Sequence, residues 1–181
     1  MKDMDDHRQS GPAARDLEGE LAAIWRRWEA RQVDDLVGEI ELVASAMPDE
    51  AAAEFERASA RDSVGRTAEA AILYQRALDK GLDPWRRRRT AIQLASSSRL
   101  LGLPETGLRL VLKERGQRPE ELDDALEAML ALILVDLGRA EEAAGIALQA
   151  LSKHLPRYSR SVRSYAAELV ASSGSGFEEP R

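Results

Sequence analysis

The stretch GRTAEAAILYQRALDKGLDP, residues 65–84, decides how the rest of the chain is read. It holds a turn glycine, an amphipathic helix, a helix stop and a proline that opens the next helix. Ala70, Leu73, Tyr74, Ala77 and Leu78 fall at i, i+3, i+4, i+7 and i+8, which places them on one face of a helix. In DLGRAEEAAGIALQAL, residues 136–151, Ala143, Ile146, Ala147, Ala150 and Leu151 repeat those offsets, and LLGLPETGLRLVLKE, residues 100–114, is a weaker copy. Gly65, Gly102 and Gly138 are 37 and 36 residues apart; Pro48, Pro84, Pro119 and Pro156 are 36, 35 and 37 apart. Two independent kinds of punctuation share one period, the signature of a helical unit copied in tandem.

The composition agrees. A chain of 181 residues is one domain or one short array, and its alanine, leucine, glutamate and arginine favour helix over strand. The net charge of −6 argues against a general nucleic-acid binder while leaving room for a local basic patch. With no cysteine there is no disulfide, thiol nucleophile or cysteine-based metal site. The N-terminal MKDMDDHRQSGPAARD lacks the apolar centre of a signal peptide. No apolar run approaches the roughly 20 residues of a membrane helix. The expectation is a soluble cytoplasmic protein with no membrane partner.

Taken in order, residues 1–15 read as a disordered tail. A helix from Asp16 carries Leu17, Leu21, Ile24, Trp25 and Trp28 on one stripe, with the two tryptophans as core anchors. A break at Arg31-Gln32 leads to a second helix with Val33, Leu36, Val37, Ile40 and Ala44. Arg31 precedes Gly65 by 34 residues, where the preceding turn belongs, so residues 16–47 are expected to form a degenerate first hairpin. Repeats follow over about 48–82, 83–117 and 118–155. Within them Thr67 is expected to cap its helix, Gly81 to end it, and Asp83-Pro84 to cap and open the next. Ala91, Leu94, Ala95 and Leu101 are expected inward, and Pro119 to open the helix with the longest apolar stripe. A capping helix over 157–171 is expected to seal the end with Tyr158 and Tyr165, ahead of a disordered tail over 172–181.

These repeats resemble tetratricopeptide repeats. The features that carry the resemblance are a small residue and a turn glycine after the first helix, then an alanine, large-residue, alanine ladder in the second. Here they are Ala58, Gly65, Ala70, Tyr74 and Ala77; then Leu94, Ala95 and Gly102; then Leu130, Ala131, Gly138, Ala143 and Ala150. The chain is similar to a small single-domain bacterial variant with 36–37-residue repeats. The resemblance implies an all-α, right-handed α-superhelix, a solenoid of antiparallel helix pairs. It departs from the pattern at Gly107 and Glu114, which replace two alanines, and at Arg61, where an apolar residue is usual.

The resemblance also implies a non-catalytic protein–protein interaction module that binds a partner peptide or helix along a concave groove. The register puts Phe55, Ser59 and Asp62, then Arg89, Gln93, Ser96 and Arg99, then Ala128, Leu132 and Val135 on that groove. Arg89 and Arg99 suit an acidic or C-terminal peptide, although the asparagines of the family's carboxylate clamp are absent. The alternative is a self-associating homodimer whose groove is occluded, in one form by the chain's own N-terminal helices. The run Arg86-Arg87-Arg88-Arg89 points all round a helix, which argues against a flat phosphate-tracking patch and against nucleic-acid contact. Such cations at a helix start oppose the dipole, which points to pairing with acidic groups on the previous repeat. The adjacent pairs Asp34-Asp35 and Asp123-Asp124 diverge on a helix, and His7 and His154 have no partner in sequence. No metal-ligand spacing, phosphate loop or nucleophile elbow is present. The expectation is no enzyme, no metal and no cofactor.

Overall fold

The computed structural model describes residues 16–32, 34–118 and 121–174. Residues 1–15, residues 175–181 of the tail expected over 172–181, Val33 and Pro119 lie outside these residues, and His7 with them; residues 172–174 are helical. Among the described residues there are nine helices and no strand: α1 (Leu17–Glu29), α2 (Leu36–Ala44), α3 (Glu50–Ser63), α4 (Thr67–Lys80), α5 (Pro84–Leu100), α6 (Pro104–Glu114), α7 (Asp123–Asp136), α8 (Ala140–Ser152) and α9 (Ser159–Gly174). Each helix packs against the next in sequence. The first helices of successive pairs also touch, α3 on α5 and α5 on α7, whereas α4 and α6 stand apart. That asymmetry curves the stack, with α3, α5 and α7 inside. On the outer side it leaves a cleft of about 230 Å³ between α4 and α6.

One backbone motif sets the repeat. After α1, α3, α5 and α7 the chain turns on a residue with φ of 57, 80, 75 and 76°, namely Arg31, Gly65, Gly102 and Gly138. At each turn the next amide reaches back to a carbonyl five residues earlier at 2.8 Å: Gln32 to Arg27, Arg66 to Arg61, Leu103 to Ser98, Arg139 to Leu134. This is the left-handed C-terminal closure that glycine adopts without a Cβ clash. Arg31 holds the same conformation at the position where the period asks for it.

Helix starts follow the sequence in part. Asp49 and Asp83 each accept two backbone amides, and Pro84 supplies a first residue that has no amide to satisfy. Thr67 does not cap α4: Arg66 takes that position without a side-chain bond, and Thr67 is the first helical residue. The helix expected from Pro119 starts at Asp123, and the last helix runs on to Gly174.

No hairpin has a core of its own. One apolar cluster joins α1 and α2 to Ala60 of α3. A second joins Phe55, Ala58, Ala70, Tyr74, Ala77 and Leu94 across α3, α4 and α5, and a third runs from Ala95 on α5 to Ile146 on α8. Close approach depends on small residues: a Cβ on Gly145 would lie 2.8 Å from the Ala166 carbonyl, so only glycine lets α9 lie on α8. Leu101, expected inward, is exposed at the turn after α5. Tyr158 and Tyr165, expected to seal the end, are 77% and 64% exposed, because α9 docks through Ala166 and Val170 and has no neighbour on its far side among the described residues.

Arg31→Gly removes the one left-handed non-glycine among the four turns. It should stabilise the chain by about 0.5–1 kcal/mol, while Gly102→Ala should destabilise it by about 1 kcal/mol. Urea unfolding midpoints of the two variants against wild type check both signs.

Candidate functional site

The candidate site starts at the first turn of α5, where four arginines fan out. Arg86 donates to both carboxylate oxygens of Glu18 on α1, at 2.7 and 2.8 Å, and to Asp83 at 3.2 Å. Arg87 grips Glu114 on α6 at 2.9–3.3 Å and the Arg118 carbonyl at 2.8 Å. Arg88 is fully buried, donating to the carbonyls of Glu114 and Gln117 and pairing with Asp123 at the start of α7. Three guanidinium groups are thus consumed in holding α1, α6 and α7 to α5. Glu114, which departs from the alanine of the repeat pattern, is the acceptor this arrangement requires. The pairing expected with acidic groups of the previous repeat is made instead with Glu18 on α1, Glu114 on α6 and Asp123 at the start of α7.

Arg89 is different. Its guanidinium lies over the Phe55 ring at 4.9 Å and the Trp85 ring at 4.6 Å. Among the described residues it makes no hydrogen bond or ion pair. Burial holds its pKa below the usual arginine value, against the pull of Glu56. Two aromatic faces stabilise a cation without neutralising it. Glu56 accepts a hydrogen bond from Trp25 Nε1 on α1 at 2.9 Å. Burial raises its pKa above the ordinary glutamate value, opposed by that bond and by Arg86 and Arg89.

The other expected groove residues are spread over several environments. Phe55 and Ser59 are buried, so Phe55 forms the floor under Arg89 and offers no open surface. The Tyr74 hydroxyl lies 3.5 Å from Ser59 Oγ and 3.4 Å from Asp62 Oδ2. Burial also raises the Asp62 pKa. Gln93 and Ser96 are half-buried, and Gln93 Oε1 is enclosed without a partner among the described residues. Arg99 crosses to Asp136 on α7 and lowers its pKa. On α7 itself Ala128, Leu132 and Val135 form an exposed stripe at i, i+4 and i+7. The structure thus brings Phe55 to Arg89, leaves Gln93 and Ser96 farther along the same helix, and commits Ser59, Asp62 and Arg99 to other contacts. Sequence reasoning missed Trp85, Glu56, Trp25 and Glu18. Trp85 stands four residues before Arg89, a helical spacing that brings ring and guanidinium together; nothing in the sequence signals Glu56.

Trp25 and Trp28 are half-buried against the first core cluster, in line with their reading as anchors. Among the described residues no group of three His, Asp or Glu side chains could hold a metal ion, and no helix is long and apolar enough to cross a membrane.

A curved stack of helix pairs with a continuous inner face defines a helical-repeat protein. A family model described as a tetratrico peptide repeat matches residues 51–169, and the chain belongs to that family. Repeats of this family generally mediate protein–protein interactions and are typically non-catalytic. Comparison with curated proteins and with solved structures finds no match.

Glu56 holds a proton more tightly in the folded chain than in the unfolded one. Its ionisation therefore costs stability as pH rises through the folded pKa, and the cost vanishes below the unfolded pKa. Glu56→Gln keeps an acceptor for the Trp25 indole and removes the charge. It should raise the urea midpoint at pH 7, with the gain shrinking as pH falls through the glutamate range; unfolding curves at pH 7 and pH 4 check the trend.

Proposed function

We propose that this chain is a non-catalytic interaction module whose inner face receives an extended segment or helix of a partner protein. The partner places a carboxylate at Arg89 beside Gln93 and Ser96, and apolar side chains on the α7 stripe of Ala128, Leu132 and Val135. The observation that carries this reading is the contrast within one helical turn. Arg86, Arg87 and Arg88 each have a carboxylate from this chain, and Arg89, held between two rings, has none among the described residues. A half-buried cation and an exposed apolar stripe suit an acidic segment with apolar flanks, because partial desolvation strengthens the charge-assisted bond. The paired state of Arg86, Arg87 and Arg88 leaves little free positive charge for a nucleic-acid backbone.

A second reading is self-association. It is favoured by Tyr158 and Tyr165, two large side chains exposed on or beside the last helix. Light scattering across concentration separates it: a monomer leaves the partner reading, and a tight dimer that Tyr165→Ser dissolves supports the second.

Affinity capture from native extract tests the first reading. Wild type and a control at exposed Leu112 on α6, Leu112→Asp, should recover a common set of proteins. Arg89→Glu and Leu132→Asp should each lose that set by about tenfold or more, the size of one desolvated charge contact or one apolar anchor. Equal recovery by all four would contradict the assignment of the inner face.

A further inference from the structure

Glu56 lies beside Phe55, the ring under Arg89, yet it makes no ion pair with Arg89. Glu18 is spent on Arg86, which also holds Asp83. Both arrangements are imposed by α1. The Trp25 indole N–H reaches Glu56 Oε2 at 2.9 Å, and Glu18 stands seven residues earlier, two turns along the same face of the helix. Helix α1 packs its backbone against α2 alone; it reaches α3 through the apolar cluster at Ala60 and through Trp25, and α5 through Glu18.

We infer that α1 is a strap that holds the Arg89 site open. Trp25 occupies the Glu56 carboxylate and Glu18 occupies Arg86, so neither carboxylate neutralises Arg89, which is left for the carboxylate of a partner. Without the indole donor, Glu56 is a buried carboxylate with one strong partner lost, and such a group turns to the nearest cation. Of the two guanidinium groups near it, Arg86 already holds Glu18 and Asp83, whereas Arg89 holds none among the described residues. Trp25 is thus a positioning residue for the site, acting through Glu56, and the inference rests on the reading of Arg89 as a carboxylate site.

The test uses Trp25→Phe, which keeps an aromatic ring and deletes only the donor, in the full chain. The probe is fluorescein-labelled hexaglutamate with a free C-terminal carboxylate, followed by anisotropy. Trp25→Phe should bind about fivefold more weakly, the size of one partly exposed ion pair. Glu56→Gln should bind more tightly than wild type, and Trp25→Phe/Glu56→Gln should recover the loss. The independent readout is a carbon-13 titration of the Glu56 carboxyl, which faces Trp25 and Glu18 of α1 and Arg86 and Arg89 of α5. In Trp25→Phe its pKa should fall, because the carboxylate gains a cation. A pKa that rises further would show that the group has merely lost a donor, and it would overturn the strap. So would unchanged probe affinity in Trp25→Phe. If wild type and Arg89→Gln bind the probe equally, the carboxylate reading of Arg89 fails instead, and the Glu56 titration alone still decides what α1 does.

Discussion

The buried guanidinium of Arg88 is the interaction on which the rest of the structure depends. An arginine removed from water is tolerable only where its charge is met, and here Asp123 at the start of α7 meets it while Nη1 donates to two carbonyls at the end of α6. That single side chain fixes how one helix pair follows another at the middle of the stack. Arg87 reinforces it through Glu114, and Arg86 extends the same logic backwards to α1. A turn of helix that looks electrostatically costly, four cations at the positive end of a dipole, is stabilised because each of the first three points to a different neighbour.

The fourth cation shows how a structural device yields a functional surface. Arg89 shares the helix and the chemistry of its neighbours, but its guanidinium lies over two rings and makes no ion pair among the described residues. The contrast is local and does not rely on the general habits of helical repeats. It also gives α1 a purpose beyond covering apolar surface, since α1 supplies the indole that occupies Glu56 and the carboxylate, Glu18, that occupies Arg86.

Much of the fold was legible because it is punctuated. Glycines at a fixed period and even Arg31 marked turns whose backbone geometry is nearly the same four times over, and Asp83-Pro84 marked a helix start. The departures at Gly107 and Glu114 also have physical reasons: a Cβ at Gly107 would meet the Ala95 carbonyl at 3.0 Å, and Glu114 receives Arg87. The site was less legible. Periodicity says which residues share a face, but it cannot say that Phe55 and Ser59 would be covered by the next pair, or that Arg99 would cross to Asp136. It misjudged Tyr158 and Tyr165 for a related reason: a stripe on the last helix finds burial only if another helix lies against it. Thr67 failed as a cap because the left-handed turn at Gly65 had already set Arg66 in that place.

The division of labour within α5 is most directly tested by comparing Arg88→Met with Arg89→Met in urea unfolding. The account predicts a loss of about 3 kcal/mol or more for Arg88→Met, which strands Asp123 and part of the α6 end without a cation. It predicts a change within about 1 kcal/mol for Arg89→Met, which keeps a side chain over the two rings. Equal losses would contradict it, because Arg89 would then hold the stack together as Arg88 does and could not be a cation kept for a partner.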